Sequence, residues 1–115
     1  MDIFSELAAI NKKLIPSNYV AVGYEALAFT TAGAKTPTVP TGVTYAEVII
    51  ESSVTSGIIG RRLNLGNGTL PTSTVGMAVA HLDYFDITGS DAITNFRIIL
   101  TTAGTHVAHI QYYKK

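Results

Sequence analysis

Three histidines, His81, His106 and His109, are the first side chains to test for metal binding or proton transfer. His106 and His109 stand three apart in a stretch of β-type residues. On a strand that spacing sends them to opposite faces, so they do not share a metal ion directly. His81 is remote from both and falls in another strand or turn. All three read as structural or exposed polar groups, and no metal site is expected. The serines offer no nucleophile: no Gly-x-Ser-x-Gly run occurs, and no strand-to-helix turn exists to present one. Glu47 and Glu51 share a strand face about 13 Å apart. That exceeds the roughly 5–9.5 Å of a glycosidase carboxylate pair. They read as the solvated or interface-facing side of an amphipathic strand. Asp86, Gly89 and Asp91 group oxygen ligands of the kind calcium takes, but without the ligand density of a calcium loop, so turn and helix capping is expected.

Further chemistry falls away on composition. The chain has no cysteine, which removes disulfides, thiolate metal centres and cysteine nucleophiles. It has no tryptophan, the usual platform of sugar-binding modules, although six tyrosines remain. Tyr112 and Tyr113 place one ring on each face of the last strand. Arg61-Arg62 is a lone basic pair, far short of a phosphate-tracking stripe. One arginine is expected in a polar network and the other at the surface or an interface. No catalytic residue, cofactor or metal is expected.

The elements that must position these groups follow from periodicity. Ile3, Leu7, Ile10 and Leu14 recur at helical spacing, with Asp2 at the start, Lys12 and Lys13 at the end, and Pro16 as the stop. This predicts a short amphipathic N-terminal helix or arm over 1–15, which must pack on its own domain or on a neighbour. Residues 16–115 then read as one domain of short strands. Strands are predicted at Gly23–Thr30, Thr36–Val39, Tyr45–Glu51, Ile58–Leu65, Met77–Thr88, Phe96–Thr102 and His106–Tyr113. Turn signals such as Gly66-Asn67-Gly68 and Ala103-Gly104 separate them. The segment Ser90–Asn95 reads as one short helical turn with a Ser or Asp cap, dipping Ile93 inward. The expected fold is all-β, an antiparallel β-sandwich of jelly-roll-like type. Alternation leaves Ile49, Ile99 and Val107 on outward faces.

The 115 residues are 47% hydrophobic and only 14% charged, with a formal net charge of zero. Soluble domains average roughly 25% charged residues. The balance excludes a basic nucleic-acid binder, and no apolar run approaches the roughly 18 residues of a helical membrane span. The N-terminal run lacks the plan of a signal peptide, so a soluble, non-secreted product is expected.

The order of several short motifs carries a resemblance. Gly23-Tyr24-Glu25-Ala26-Leu27 precedes Thr38-Val39-Pro40, then Tyr45-Ala46-Glu47-Val48 with Glu51, then Gly60-Arg61-Arg62-Leu63. Gly68-Thr69-Leu70-Pro71-Thr72, Val75-Gly76-Met77, Ile93-Thr94-Asn95-Phe96-Arg97 and Gln111-Tyr112-Tyr113 follow. This series, spanning roughly residues 20 to 113, resembles small virion structural proteins of tailed bacteriophages and prophages. Ala80-His81-Leu82-Asp83 departs from the Gly-Asp turn more usual there. The resemblance implies a non-enzymatic capsid decoration or cement protein, binding the shell in many copies as a homo-oligomer. Its partners would be the major capsid protein or other virion proteins, and its location the virion, assembled in the host cytoplasm. A tail or head-fibre carbohydrate-binding adhesin, or a small head–tail adaptor, is the alternative. The expected contact residues are Ile3, Phe4, Leu7 and Ile10 of the helix and Ile49 of an outward strand face.

Overall fold

Two long apolar segments pair at the centre of the molecule, and the other strands are arranged around them. In the computed structural model, which describes residues 18–31 and 33–115, these segments are β2 (Tyr45–Ser52) and β7 (His106–Lys114). They run antiparallel in unbroken register from Tyr45 opposite Tyr113 to Ser52 opposite His106. β1 (Val20–Ala28) pairs with the far side of β7, and β5 (Tyr84–Thr88) with the far side of β2. The first sheet is therefore ordered β1-β7-β2-β5. A second antiparallel sheet contains β4 (Met77–Ala80), β3 (Ile58–Leu63) and β6 (Arg97–Leu100), in that order. The one described helix, α1 (Ser90–Thr94), joins β5 to β6.

The two sheets share one core. Val48, Ile50, Ala108, Ile110 and Tyr112 of the first meet Ile59, Val79 and Ile98 of the second, with Phe29, Ile93 and Phe96 among them. Period-2 alternation puts these side chains on the inner face, and burial of such residues contributes about 1.5–3 kcal/mol each.

The mostly-β expectation holds, and the helical turn expected over Ser90–Asn95 is present as α1. Five local expectations do not hold. The strand expected over Thr36–Val39 is a loop with one isolated bridge, Lys35 to Ile98. Pro37 and Pro40 remove the N–H donors a ladder needs, and the loop is tied instead by the Thr38 N–H donating to Glu25 Oε1 at 2.9 Å. The strand expected over Met77–Thr88 is broken at residues 81–83, where the chain passes from the second sheet to the first. Leu82 there takes a left-handed φ of 67°. The break is held by Leu82 N–H to Ile50 O at 2.7 Å and Ala80 N–H to Asp83 Oδ2 at 2.8 Å.

Gly66-Asn67-Gly68 forms a turn, closed by Gly68 N–H to Leu65 O, but it opens a long loop and not a tight hairpin. No side chain caps α1; Gly89, at φ 98°, precedes it, while Ile93 is buried as expected. Ile49, expected outward as a contact residue, is only 2% exposed. It lies on a central strand between His109 of β7 and Tyr84 of β5, whose large side chains flank it. Ile3, Phe4, Leu7 and Ile10, with the expected helix over 1–15, lie outside the described residues.

The closest backbone approach between β3 and β6 sets a testable limit. A Cβ added to Gly60 would stand 2.5 Å from the carbonyl oxygen of Ile99 and 3.2 Å from the Phe29 ring, whereas one added to Gly66 meets nothing within 4 Å. Gly60→Ala is expected to destabilise the fold by about 2–3 kcal/mol through overpacking. Gly66→Ala should stay within about 0.5 kcal/mol of the parent. Denaturant unfolding of the two variants separates them, and equal midpoints would contradict the packing described.

Candidate functional site

The outward face of the first sheet gathers a cluster of ionisable and aromatic side chains. β2 places Tyr45, Glu47, Ile49 and Glu51 on it, β7 places Val107, His109, Gln111 and Tyr113, β5 places Tyr84 and Asp86, and β1 places Tyr24. At its centre Glu47 is fully buried. Tyr113 donates to its Oε1 at 2.6 Å and Tyr84 to its Oε2 at 3.0 Å. Gln111 donates to the Tyr113 hydroxyl at 2.9 Å, and Tyr45 donates to Asp86 at 3.1 Å. Burial pushes the Glu47 carboxyl above its ordinary value; the two tyrosine hydroxyls oppose that shift and the Asp86 charge adds to it. Glu47, expected on a solvated or interface-facing side, is a buried, doubly bonded carboxylate, while Glu51 keeps an exposed side chain.

A second chain of groups crosses β2, β7 and β1. His109 Nε2 lies 2.8 Å from Glu51 Oε1, and its Nδ1 lies 2.5 Å from the Tyr24 hydroxyl. A carboxylate, an imidazole and a hydroxyl in that order have the connectivity of a relay that activates a nucleophile. The electrostatics run the other way here. Burial, and then the Glu51 charge, raise the Tyr24 phenol above its ordinary value. A phenol held in its protonated form is a poor nucleophile, so the chain ties three strands together.

The third cluster is inward. Ser52 Oγ lies 2.7 Å from His106 Nδ1, and His106 Nε2 lies 2.7 Å from the Thr102 carbonyl, which only accepts. That places a proton on Nε2; in the neutral imidazole Nδ1 then accepts and Ser52 donates to it. Ser52 Oγ also accepts from the Val54 N–H, and the Ser52 N–H donates to His81 Nδ1 at 3.0 Å. Hydroxyl and imidazole are both buried, so the pair pins the β2–β3 connection and offers a substrate no approach. His106 and His109 do lie on opposite faces, and His81 joins His106 only through Ser52. Among the described residues no group of three or more His, Asp or Glu side chains is arranged to hold a metal.

Arg61 takes the polar-network role expected of one arginine, whereas Arg62 is packed on a ring and not at the surface. Arg61 ties down the β3–β4 loop through the carbonyls of Ser73 and Gly76. Arg62 stacks its guanidinium 3.6 Å from the Phe85 ring centroid, with its Nε buried and unpaired. Burial lowers its pKa, and the Asp83 and Asp86 charges oppose that shift. Asp86 and Asp91 do not form a calcium loop: Asp86 accepts from Tyr45, and Asp91 sits in the first turn of α1. A pocket of about 460 Å³ lies elsewhere, lined by residues 39–44 with Ser90 and Thr94.

Scans of protein-family models, of curated proteins and of solved structures find no match to this chain.

Sequence reasoning missed the Glu47 and His109 clusters because both are made by the pairing of β2 with β7, more than 50 residues apart in the chain. The face assignments were legible; which strands stand side by side was not.

Two measurements test this electrostatic picture. A raised Glu47 pKa means the folded state favours the protonated carboxyl. Its contribution to stability is therefore full below the ordinary glutamate range, about 4.3, and is lost as pH rises through the folded value. Glu47→Gln should gain stability relative to the parent as pH climbs through that window. A stability difference that does not change with pH would contradict it. Separately, Tyr24, Tyr45, Tyr84 and Tyr112 all have raised phenol pKa values, with Tyr45 pushed up to about 12 by burial first. Ultraviolet titration should show most phenolate appearing only as the protein unfolds in alkali. Full reversible ionisation near pH 10 without unfolding would refute the burial described.

Proposed function

We propose that this chain is a non-enzymatic bacteriophage virion structural protein, a capsid decoration or cement subunit that binds a shell in many copies. Its two sheets would form a β-sandwich of jelly-roll-like type. One observation carries the reading beyond the resemblance. Ile58, Leu65, Leu70, Val75, Met77 and Leu82 are each between 42% and 57% exposed and all come from one continuous stretch of chain, residues 58–82. In a chain with 14% charged residues they supply apolar contact area with little charge to desolvate. Each such side chain buried contributes about 1.5–3 kcal/mol, and repetition over a symmetric lattice multiplies weak single contacts into avidity. The partner would be the major capsid protein or another virion protein, with copies of the chain beside it. Ile49 is withdrawn as a contact residue, and the exposed stretch 58–82 replaces it.

A second reading rests on the pocket formed by residues 39–44, Ser90 and Thr94. It is lined by four hydroxyl side chains, of which Thr44 Oγ1 is buried and unpaired. Its volume falls within the range of small-molecule sites, about 300–1,000 Å³, and hydroxyl-rich walls suit a glycan. This favours the adhesin alternative.

Co-sedimentation of purified protein with capsids of the encoding phage or prophage separates the two. The decoration reading expects saturable, many-copy association, reduced at least about tenfold by Leu70→Glu with Met77→Glu. Lack of any association, together with selective binding on a glycan array, would overturn it in favour of the adhesin.

A further inference from the structure

We propose that Asn67 and Gly68 form a self-modifying site, at which the folded protein deamidates its own chain and leaves aspartate or isoaspartate at position 67. The chemistry is independent of the virion reading. Five asparagines occur in the chain, and Asn67 is the one followed by glycine. The others precede lysine, tyrosine, leucine or phenylalanine, whose side chains shield the backbone nitrogen that must attack. Asn67 and Thr69 are exposed and Gly68 is half-buried, so water and hydroxide reach the turn.

In the reaction a base from solvent takes the Gly68 N–H proton, and the nitrogen attacks Asn67 Cγ. The carbonyl electrons move onto Oδ1; as they return, Nδ2 leaves as ammonia with a proton from water. Water then opens the cyclic imide at either carbonyl, so an amide and water become a carboxylate and ammonium. Three features of the turn assist. Gly68 carries no Cβ to screen its nitrogen. The oxygen that gathers negative charge, Asn67 Oδ1, already accepts from the Thr69 N–H at 3.1 Å and from the Thr69 hydroxyl at 2.6 Å. Two fixed donors aimed at a developing oxyanion lower its energy. Arg97 adds a cation: its Nη2 stands 3.6 Å from where a Cβ on Gly68 would lie, close to the nitrogen that turns anionic. One contact opposes the step. The Gly68 N–H donates to Leu65 O at 2.9 Å, but this bond belongs to a turn outside both sheets, where opening costs least. The product sets a negative charge between Leu65 and Leu70, 51% and 57% exposed, in a segment over 63–80 that holds no Asp, Glu, Lys or Arg.

Full-length protein held in warm, mildly alkaline buffer, followed by isoelectric focusing, peptide mass mapping and enzymatic isoaspartate methylation, tests the site. An acidic product should accumulate, faster as pH rises, with aspartate and isoaspartate at position 67 and the other asparagines intact. Thr69→Val removes the hydroxyl donor and should slow conversion by about three- to tenfold, the worth of one hydrogen bond. Thr69→Ser, which keeps that donor, should convert at the parent's rate. In denaturant, where the turn is lost, the parent and Thr69→Val should convert alike. No conversion at position 67 in the native protein, or conversion spread evenly over the asparagines, would overturn the proposal. So would an unchanged or faster rate in native Thr69→Val, its circular dichroism matching the parent's, or a Thr69→Val effect that persists in denaturant.

Discussion

The carboxylate of Glu47 sits on a central strand with no water at its surface, and the arrangement of the first sheet answers to that. A buried ionisable group is tolerated only when its lone pairs are bonded. Tyr113 from β7 and Tyr84 from β5 supply the two hydroxyls, one from each neighbour of β2. Both bonds exist only when β2 lies between β5 and β7 in the observed register, with Glu47 opposite Gln111 and Asp86. A slip by one residue would carry Glu47 to the inner face, among Val48, Ile50 and Ile110, where no polar partner waits. The buried carboxylate therefore discriminates against wrong registers more than it adds to stability.

The inner face was legible because its signal is local. Val48, Ile50, Ala108, Ile110 and Tyr112 alternate within their own segments, and alternation fixes a face without knowledge of the neighbouring strand. Ile93 was legible for the same reason. Ile49 was misread because alternation says only that it opposes Val48 and Ile50; it does not say whether the opposite face meets water. Two apolar faces on one strand are the mark of burial on both sides, which the sequence displays at Ile49 and Ile50. The cluster chemistry was illegible for a different reason. Glu47 meets Tyr113 across 66 positions, and Tyr24 meets His109 across 85. No spacing rule within a segment reports such pairs.

The broken strand at residues 81–83 illustrates a competing constraint. Its composition favours a continuous strand from Met77 to Thr88, yet the chain must leave one sheet and enter the other. Leu82 accepts a left-handed backbone, which costs a non-glycine residue roughly 1–2 kcal/mol. Hydrogen bonds to Ile50, Ala80 and Asp83 offset that cost. A glycine at Leu82 would take the same φ without strain. Strain kept at an exposed leucine, 42% accessible, places an apolar side chain in the surface stretch that the proposed contact uses.

The low charge of the chain acquires two separate causes. Part belongs to the outward face of the first sheet, where Tyr45, Ile49 and Tyr113 occupy positions that a solvated strand would give to lysine or glutamate. Those side chains are already buried, so they are no measure of a free sticky surface. The remainder belongs to residues 58–82, where the apolar side chains are open to water. This second deficit, unlike the first, bears on association with a partner. A chain whose whole deficit was internal would behave as a well-covered monomer, whereas six half-exposed apolar side chains within one stretch of chain favour a cover from outside. The composition alone merges these two situations, and the burial of Ile49 beside the exposure of Leu70 and Met77 separates them.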